Sequence, residues 1–460
     1  MVPTSPEFFL FLVVVFAGYW LLWRARIAGL TVILLANYFF YAKWGWIYLV
    51  IIPAASSLDF LIGWRLGKPG ANAVRRALVT ASIVLNVSLI VLCKYLPFFF
   101  SGIAGAGIWT LPLGLSFYAF QSMTYTLDIY RHDAKPARNY LAYLCSASFF
   151  PTALAGPITR LTGLTAQFDR KTRTITSEEG GRALFLIGTG LAKKFLIADF
   201  LANNLVTRVF DLPTLYSGGE VLVAVYSYAF QLYYDFSGYT DIVIGAAALL
   251  GLKLPANFNR PYTARNIADF WRRWHITLSD WLRDYLYFSL PGKRSKAMAY
   301  LNLVITMAIG GLWHGANWTF LVWGLMHGAG LAVYRGWQAL RGNPKPSAHP
   351  AMRWLSILLT FHFVTLAWIF FRAGSIGAAF SILSQIGSLH FSFDNVTRPF
   401  AMVLAIAVLA HFTPKRWLTT AQMRFSTSPA LVQAALVTAL IVAIQYIGAS
   451  GVAPFIYTRF

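Results

Sequence analysis

The chain has 460 residues, of which 58% are hydrophobic and only 12% charged, and its mean hydropathy is +0.58. Soluble domains carry about 25% charged residues, so this composition excludes an ordinary soluble domain and points to a polytopic membrane protein. The net charge of +22 does not imply nucleic acid, because Lys and Arg cluster in short loops between apolar stretches, as the positive-inside bias requires.

Apolar runs at 7–23, 27–43, 46–64 and 77–93 are candidate spans, since roughly 20 residues cross a bilayer. The first run lacks a basic flank and a small-residue cleavage site, so it reads as a retained helix rather than a removed signal. Arg24 and Arg26 follow the first run, and Arg65, Lys68, Arg75 and Arg76 follow the third. This alternation places those loops in the cytoplasm and the N-terminus outside. Between 97 and 128, Pro97, Gly102, Gly105, Gly107, Pro112 and Gly114 interrupt an apolar stretch, and 111–128 is expected to be re-entrant or buried. The basic loop Arg131–Arg138 follows, then a second broken stretch, 149–160, with two prolines and a glycine. The only two cysteines, Cys93 and Cys145, suggest neither a disulfide framework nor a cysteine metal site.

A connector at 162–180 leads to a run at 182–201 holding Lys193, Lys194 and Asp199, and then to a run at 219–252 holding Asp235 and Asp241. Carboxylates in apolar stretches are costly unless paired or hydrated. A salt bridge to a cation of another helix is one reading, and a polar site is the other. Over 264–290, Ile267, Phe270, Trp271, Trp274, Leu278, Trp281, Leu282 and Tyr285 recur at helical spacing, with Asp269, Arg273, Thr277, Asp280 and Asp284 opposite. That pattern predicts an amphipathic helix lying along the membrane interface. His275 falls on its apolar side, as a buried structural group or as part of a site.

The stretch 308–328 reads as one apolar span carrying His314, with glycines at 310, 311 and 315 and with Trp313 and Trp318 beside it. Glycine lets another backbone or a substrate approach closely. An ionisable group in a membrane segment is by default a functional-site hypothesis, and the alternative is a core histidine bonded to a carbonyl. Beyond a basic loop from Arg341 to Arg353, spans are expected at 354–371, 399–412 and 429–447, with a partly helical loop at 372–398. A cytoplasmic loop carrying Lys415, Arg416 and Arg424 then leaves 448–460 outside. No repeat or second-domain linker is evident over 1–460.

No P-loop, Rossmann pattern, zinc spacing or nucleophile elbow is present. The chemistry therefore rests on His275 and His314. A desolvated imidazole stays neutral near pH 7 and can take a proton from a hydroxyl attacking a carbonyl. The developing oxyanion needs donors, for which a second histidine, a backbone amide or Asn317 is available.

Phe270-Trp-Arg-Arg-Trp-His275-Ile-Thr-Leu-Ser-Asp-Trp-Leu-Arg-Asp-Tyr-Leu-Tyr287 and Gly311-Leu-Trp-His314-Gly-Ala-Asn-Trp318 resemble the membrane-bound O-acyltransferase family. Phe150-Pro151, Ala155-Gly-Pro-Ile-Thr-Arg160, Phe236-Ser-Gly-Tyr-Thr-Asp241 and Asn257-Phe-Asn-Arg-Pro261 fit the same pattern. The resemblance is strongest over 111–330 and nearest to the branch that O-acetylates alginate; the teichoic acid D-alanyl branch is more distant. It implies an all-α membrane protein, a ring of roughly 11 spanning helices around a thinned centre, with re-entrant or interfacial helices and a catalytic tunnel. His314 falls on the family's essential histidine and His275 on its second position. Trp313, Asn317, Trp318, Trp274, Asp235 and Asp241 are expected to contact substrate.

No bound cofactor or metal is implied. The donor would be a cytosolic thioester, acetyl-CoA or an acyl carrier protein. The acceptor would be an envelope polysaccharide, reached with an esterase-like acyltransferase partner outside the inner membrane. The C-terminal Phe455-Ile-Tyr457-Thr-Arg-Phe460 resembles endings in which the tyrosine relays the acyl group, so Tyr457 is either a relay or an interface anchor. Two other readings remain: a secondary transporter, against which the lack of two related halves counts, and a non-catalytic scaffold, which would not need His314.

Overall fold

The first helix, α1 (Pro6–Leu22), buries Phe8, Leu12, Val15 and Tyr19 but leaves Leu10, Val13, Val14 and Leu21 exposed. A helix that is apolar on its buried and exposed sides alike belongs in a bilayer. The computed structural model describes residues 1–95, 114–170, 174–292, 295–342 and 349–447. These residues are helical, with turns and loops between, and no strand occurs among them. They group into two compact units, Met1–Thr189 with Tyr239–Pro255 and Gln422–Pro429, and Gly190–Gly238 with Ala256–Ala421 and Ala430–Phe460.

In the first unit, α2 (Arg26–Ala42), α3 (Tyr48–Leu66), α4 (Asn72–Ile90), α5 (Leu115–Tyr130), α6 (Tyr140–Ala147) and α7 (Leu161–Phe168) follow α1. Asp59 of α3 is fully buried, and its carboxylate accepts from Ser82 at 2.6 Å, Ser122 at 2.7 Å and Asn86 at 2.8 Å. A buried carboxylate persists only when its lone pairs are filled in this way. The interrupted stretch 97–113 lies outside the described residues; beyond it α5 is buried along almost its whole length, as expected, and 149–159 is irregular and buried throughout. Irregular backbone at membrane depth survives when protein encloses it. Here Asn37 donates to the Cys145 carbonyl at 3.0 Å and accepts from Phe150 N–H at 3.0 Å, tying α2 to the start of the break.

The first stretch of the first unit closes within α8 (Ser177–Leu191), at Thr189, and the segment 192–211 alternates π and α turns. The second unit then takes most of α9 (Gly218–Leu249), followed by α10 (Ile267–Trp271), α11 (Ile276–Trp281), α12 (Lys296–His314), α13 (Trp318–Leu340), α14 (Pro350–Arg372), α15 (Ile376–Gly387) and α16 (Arg398–Phe412). Helix α17 (Lys415–Thr427) leads to the last helix, α18 (Ala430–Ile447). Among the described residues, α3, α4, α12 and α14 are long and apolar enough to cross a membrane, while α1, α2, α15, α16 and α18 are apolar but shorter.

Three expectations need correction. The interfacial helix over 264–290 is broken: α10 stops at Trp271, and α11 starts only after His275. The span over 308–328 is two helices meeting in a turn at 315–317, so His314 ends one helix instead of sitting inside a single span. The segment 415–424, expected as a loop, is helical and lies within α17.

Candidate active site

Helices α12 and α13 pack closely because glycine removes side chains from their contact. A Cβ on Gly311 would overlap the Phe320 carbonyl oxygen, one on Gly324 would overlap that of Met307, and one on Gly328 would lie 2.7 Å from Val304 Cα. The glycines make room for a neighbouring backbone and not for a ligand. Asn317 caps α13, accepting from Thr319 N–H at 3.0 Å while its amide donates to the Gly374 carbonyl at 2.9 Å. Its polar atoms are thus committed to holding the turn. His314, at the end of α12, is 4% exposed and packed among aromatic rings. Trp313, Phe371 and Trp323 lie at centroid distances of 4.9, 5.0 and 5.1 Å.

His275 arrives by a different route. The Asn266 side chain caps α10, accepting from Asp269 N–H at 2.8 Å. Arg273 pairs with Asp269 at 3.0 Å, as its spacing predicts. The chain then passes through His275 at φ 40°, a left-handed conformation that costs a non-glycine residue about 1–2 kcal/mol. The Asn257-Phe-Asn-Arg-Pro261 strip holds it there. Asn259 N–H donates to the Arg273 carbonyl at 2.9 Å, and Ile276 N–H donates to the Asn257 carbonyl at 2.9 Å. Strain maintained by surrounding structure is characteristic of functional sites.

The same asparagine orients the His275 ring. Asn257 Oδ1 accepts from Thr277 N–H at 3.3 Å and Thr277 Oγ1 at 2.9 Å, and it lies 3.0 Å from His275 Nδ1. A backbone N–H can only donate, so this atom is the carbonyl oxygen and His275 Nδ1 carries the proton. The Nε2 lone pair is then the basic face of the ring. His275 is fully buried, and desolvation lowers its pKa to about 3. Its ring meets Phe236 at 4.8 Å and Trp313 at 6.4 Å. Both histidines therefore pack against one indole, that of Trp313, although 39 positions separate them in the chain (314 minus 275).

The other expected residues scatter. Trp274 is buried between Trp368 at 4.9 Å and Phe258 at 5.1 Å. Trp318 is 70% exposed. Asp235 is buried and shares Lys194 with Asp199, both at 2.7 Å, so the salt-bridge reading of the apolar run applies. Asp241 is partly buried and belongs to the first unit. Tyr457 lies outside the described residues.

The structure also adds a histidine that sequence reading passes over. His327 is fully buried and packs against Trp323 at 4.9 Å and Trp271 at 5.1 Å; neither ring nitrogen has a hydrogen-bond partner among the described residues. Its signal is the Trp323–His327 spacing of one helical turn, which puts both on the face of α13 that leads to His314.

Residues 19–377, which include both histidines and the Asn257 strip, match the model of the membrane-bound O-acyltransferase family. The chain belongs to that family. It is 37% identical over 412 residues to the probable alginate O-acetylase of Azotobacter vinelandii, covering 86% of this chain and 79% of that one. It is 35% identical to the peptidoglycan O-acetyltransferase of Helicobacter pylori, covering 84% and 80%. The teichoic acid D-alanyltransferase of Bacillus subtilis is 29% identical, covering 56% of this chain and 68% of that protein. The chain is thus a multi-pass membrane O-acyltransferase.

Proposed function

We propose that the protein transfers an acetyl group from a cytosolic thioester to a hydroxyl of an envelope polysaccharide, with His314 as general base. The observation that carries this reading is the convergence of His314 and His275 on Trp313 inside an aromatic enclosure. Water exclusion strengthens electrostatic interactions and protects a thioester from hydrolysis. The imidazole of His314 accepts the proton of the attacking hydroxyl as its oxygen bonds to the thioester carbonyl. The carbon–sulfur bond then breaks, and the proton returns to the leaving thiolate. His275 presents its Nε2 lone pair, so in this state it accepts from a hydroxyl and helps to position it. Asn317 is spent on the turn and is not proposed as an oxyanion donor.

A cavity of about 650 Å³ supports an entry for the donor. Its lining includes Trp271, Arg272, Arg283, Tyr287, Thr306 and Arg335. Arg272 and Arg335 suit the phosphates of coenzyme A, while Arg283 is already paired with Asp280, which lines the same cavity. At its inner side Trp271 meets Trp323 at 5.8 Å, and Trp323 meets His314. A tunnel, a ring of about 11 spans and a Tyr457 relay belong to the same proposal.

The test is His314→Ala in membranes supplied with isotopically labelled acetyl-CoA and acceptor polysaccharide. Acetyl transfer should fall by at least about 10²-fold, the scale of a lost general base, at unchanged expression and thermal stability. Near wild-type turnover would overturn the assignment.

A further inference from the structure

A second polar enclosure lies on another face of the same unit. Arg260, Arg265, Arg273 and Arg353 line a cavity of about 500 Å³, together with Thr263 and Trp354. No carboxylate is among its lining residues. Arg260 is fixed by the carbonyls that end α16, donating to His411 O at 3.1 Å and Phe412 O at 2.9 Å. Carbonyls hold a guanidinium without cancelling its charge. Arg273 is partly neutralised by Asp269. Arg265 and Arg353 have no ion-pair partner among the described residues.

Those last two arginines are also shared with an adjoining trough of about 800 Å³ between α13 and α14. Its lining includes Met326, Ala329, Val333, Trp337, Leu359 and Phe363. Val333 is 72% and Trp337 56% exposed, which is the outward face of a helix in a bilayer. Arg353 stands in the first turn of α14, a helix apolar enough to cross the membrane. The end of such a helix lies at the depth of lipid phosphates, where Arg is favoured.

We propose that this cavity and trough form a binding site for an anionic glycerophospholipid. Its phosphate would lie among Arg260, Arg265, Arg273 and Arg353, and one acyl chain along the trough. The charge selects an anion, and guanidinium groups bind phosphate through paired hydrogen bonds. The apolar trough selects a long hydrocarbon chain in the same ligand. Acetyl-CoA has phosphates but no such chain, and a polysaccharide has neither. Three of the four arginines, Arg260, Arg265 and Arg273, come from the segment that carries His275: Arg273 supplies the carbonyl to which Asn259 N–H donates, and Arg260 follows Asn259. An occupied site would brace that segment, which makes the lipid a structural partner of the enzyme.

The experiment uses the full chain purified in detergent, with its thermal transition followed as lipids are added. Dioleoyl phosphatidylglycerol should raise the midpoint in a saturable way, while dioleoyl phosphatidylcholine should not. Glycerol 3-phosphate should not reproduce the rise, any rise from acetyl-CoA through the donor site should persist in Arg265→Gln/Arg353→Gln, and neither compound should compete with the lipid. Arg265→Gln/Arg353→Gln should weaken phosphatidylglycerol binding at least tenfold, and Arg265→Lys/Arg353→Lys should recover part of it. If the glutamine variant proves unfolded, Ala329→Trp offers a second route: it fills the trough, leaves all four arginines in place and should abolish the advantage of long over short acyl chains. Equal response to both lipids, an unaltered response in the variants, or displacement by glycerol 3-phosphate or acetyl-CoA would overturn the proposal.

Discussion

His275 is the residue whose chemistry depends most on a neighbour. Burial lowers its pKa to about 3, which favours the neutral ring near pH 7, and the Asn257 oxygen fixes which nitrogen is basic. Asn257→Asp keeps an acceptor at that place and adds a negative charge 3.0 Å from Nδ1. An adjacent carboxylate favours the imidazolium, so the His275 pKa rises. If transfer needs neutral His275, the variant should lose activity on the acid side, about tenfold per pH unit below the raised pKa, where the wild type is insensitive to this group. The measurement is kcat/KM against pH for both proteins. Parallel profiles, with the variant merely lower throughout, would show that Asn257 serves folding alone. Patterning along the chain correctly indicates the apolar environment of His275. It cannot indicate the left-handed backbone at that position, because the Asn257 strip that imposes it lies 18 residues earlier and acts through tertiary hydrogen bonds. Asp235 shows the converse. Its cost in an apolar run is visible in the sequence, but only the fold reveals that Lys194 meets it.

At the scale of elements, the apolar runs mark most long helices to within a few residues, since hydropathy and proline positions act locally. The breaks are harder to see. Periodicity continues through Arg272–His275 and through Gly315–Asn317, although the chain turns at both places. The glycines at 310, 311 and 315 suggest space for a substrate; the structure uses Gly311, Gly324 and Gly328 to bring α12 and α13 into contact. That difference is measurable. Gly311→Ala or Gly324→Ala sets a methyl group against a backbone carbonyl that has no rotamer to escape into, and overpacking of this kind costs about 1–3 kcal/mol. Gly336, farther along α13, has nothing within 4 Å of the position a methyl group would take. Gly336→Ala should therefore be neutral or stabilising by up to about 1 kcal/mol, the helix propensity difference. Thermal unfolding in detergent distinguishes the two sites. Equal effects at 311, 324 and 336 would remove close helix packing as the reason for these glycines.

At the scale of the whole molecule, the reaction has a problem of sides. The proposed donor is cytosolic, and the proposed acceptor is in the envelope. Either the acceptor hydroxyl reaches His314 directly, or a group of the protein carries the acetyl outward. The C-terminal segment supplies a candidate in Tyr457, ten residues beyond Ile447, where α18 ends. An extended tether of that length reaches about 30 Å at roughly 3.3 Å per residue. The energetics are in order. A phenol, with a pKa near 10, is more acidic than a sugar hydroxyl, so it is more readily deprotonated by a histidine. Its acetyl ester is more activated than a sugar ester, so the second transfer, from tyrosyl ester to sugar, is the step that runs downhill, while the first exchanges two activated esters. In the proposed relay the Tyr457 oxygen would bond to the acetyl carbon as the thiol leaves with the proton, and a sugar hydroxyl would then displace the phenol. With the proposed extracytoplasmic partner deleted, the second step should stop and an acetyl adduct should accumulate on the C-terminal peptide by mass spectrometry. Tyr457→Phe should abolish the adduct and reduce polysaccharide acetylation to the level seen with His314→Ala. Full acetylation in Tyr457→Phe would mean that the acceptor reaches His314 itself, and that the aromatic tail anchors the chain at the interface.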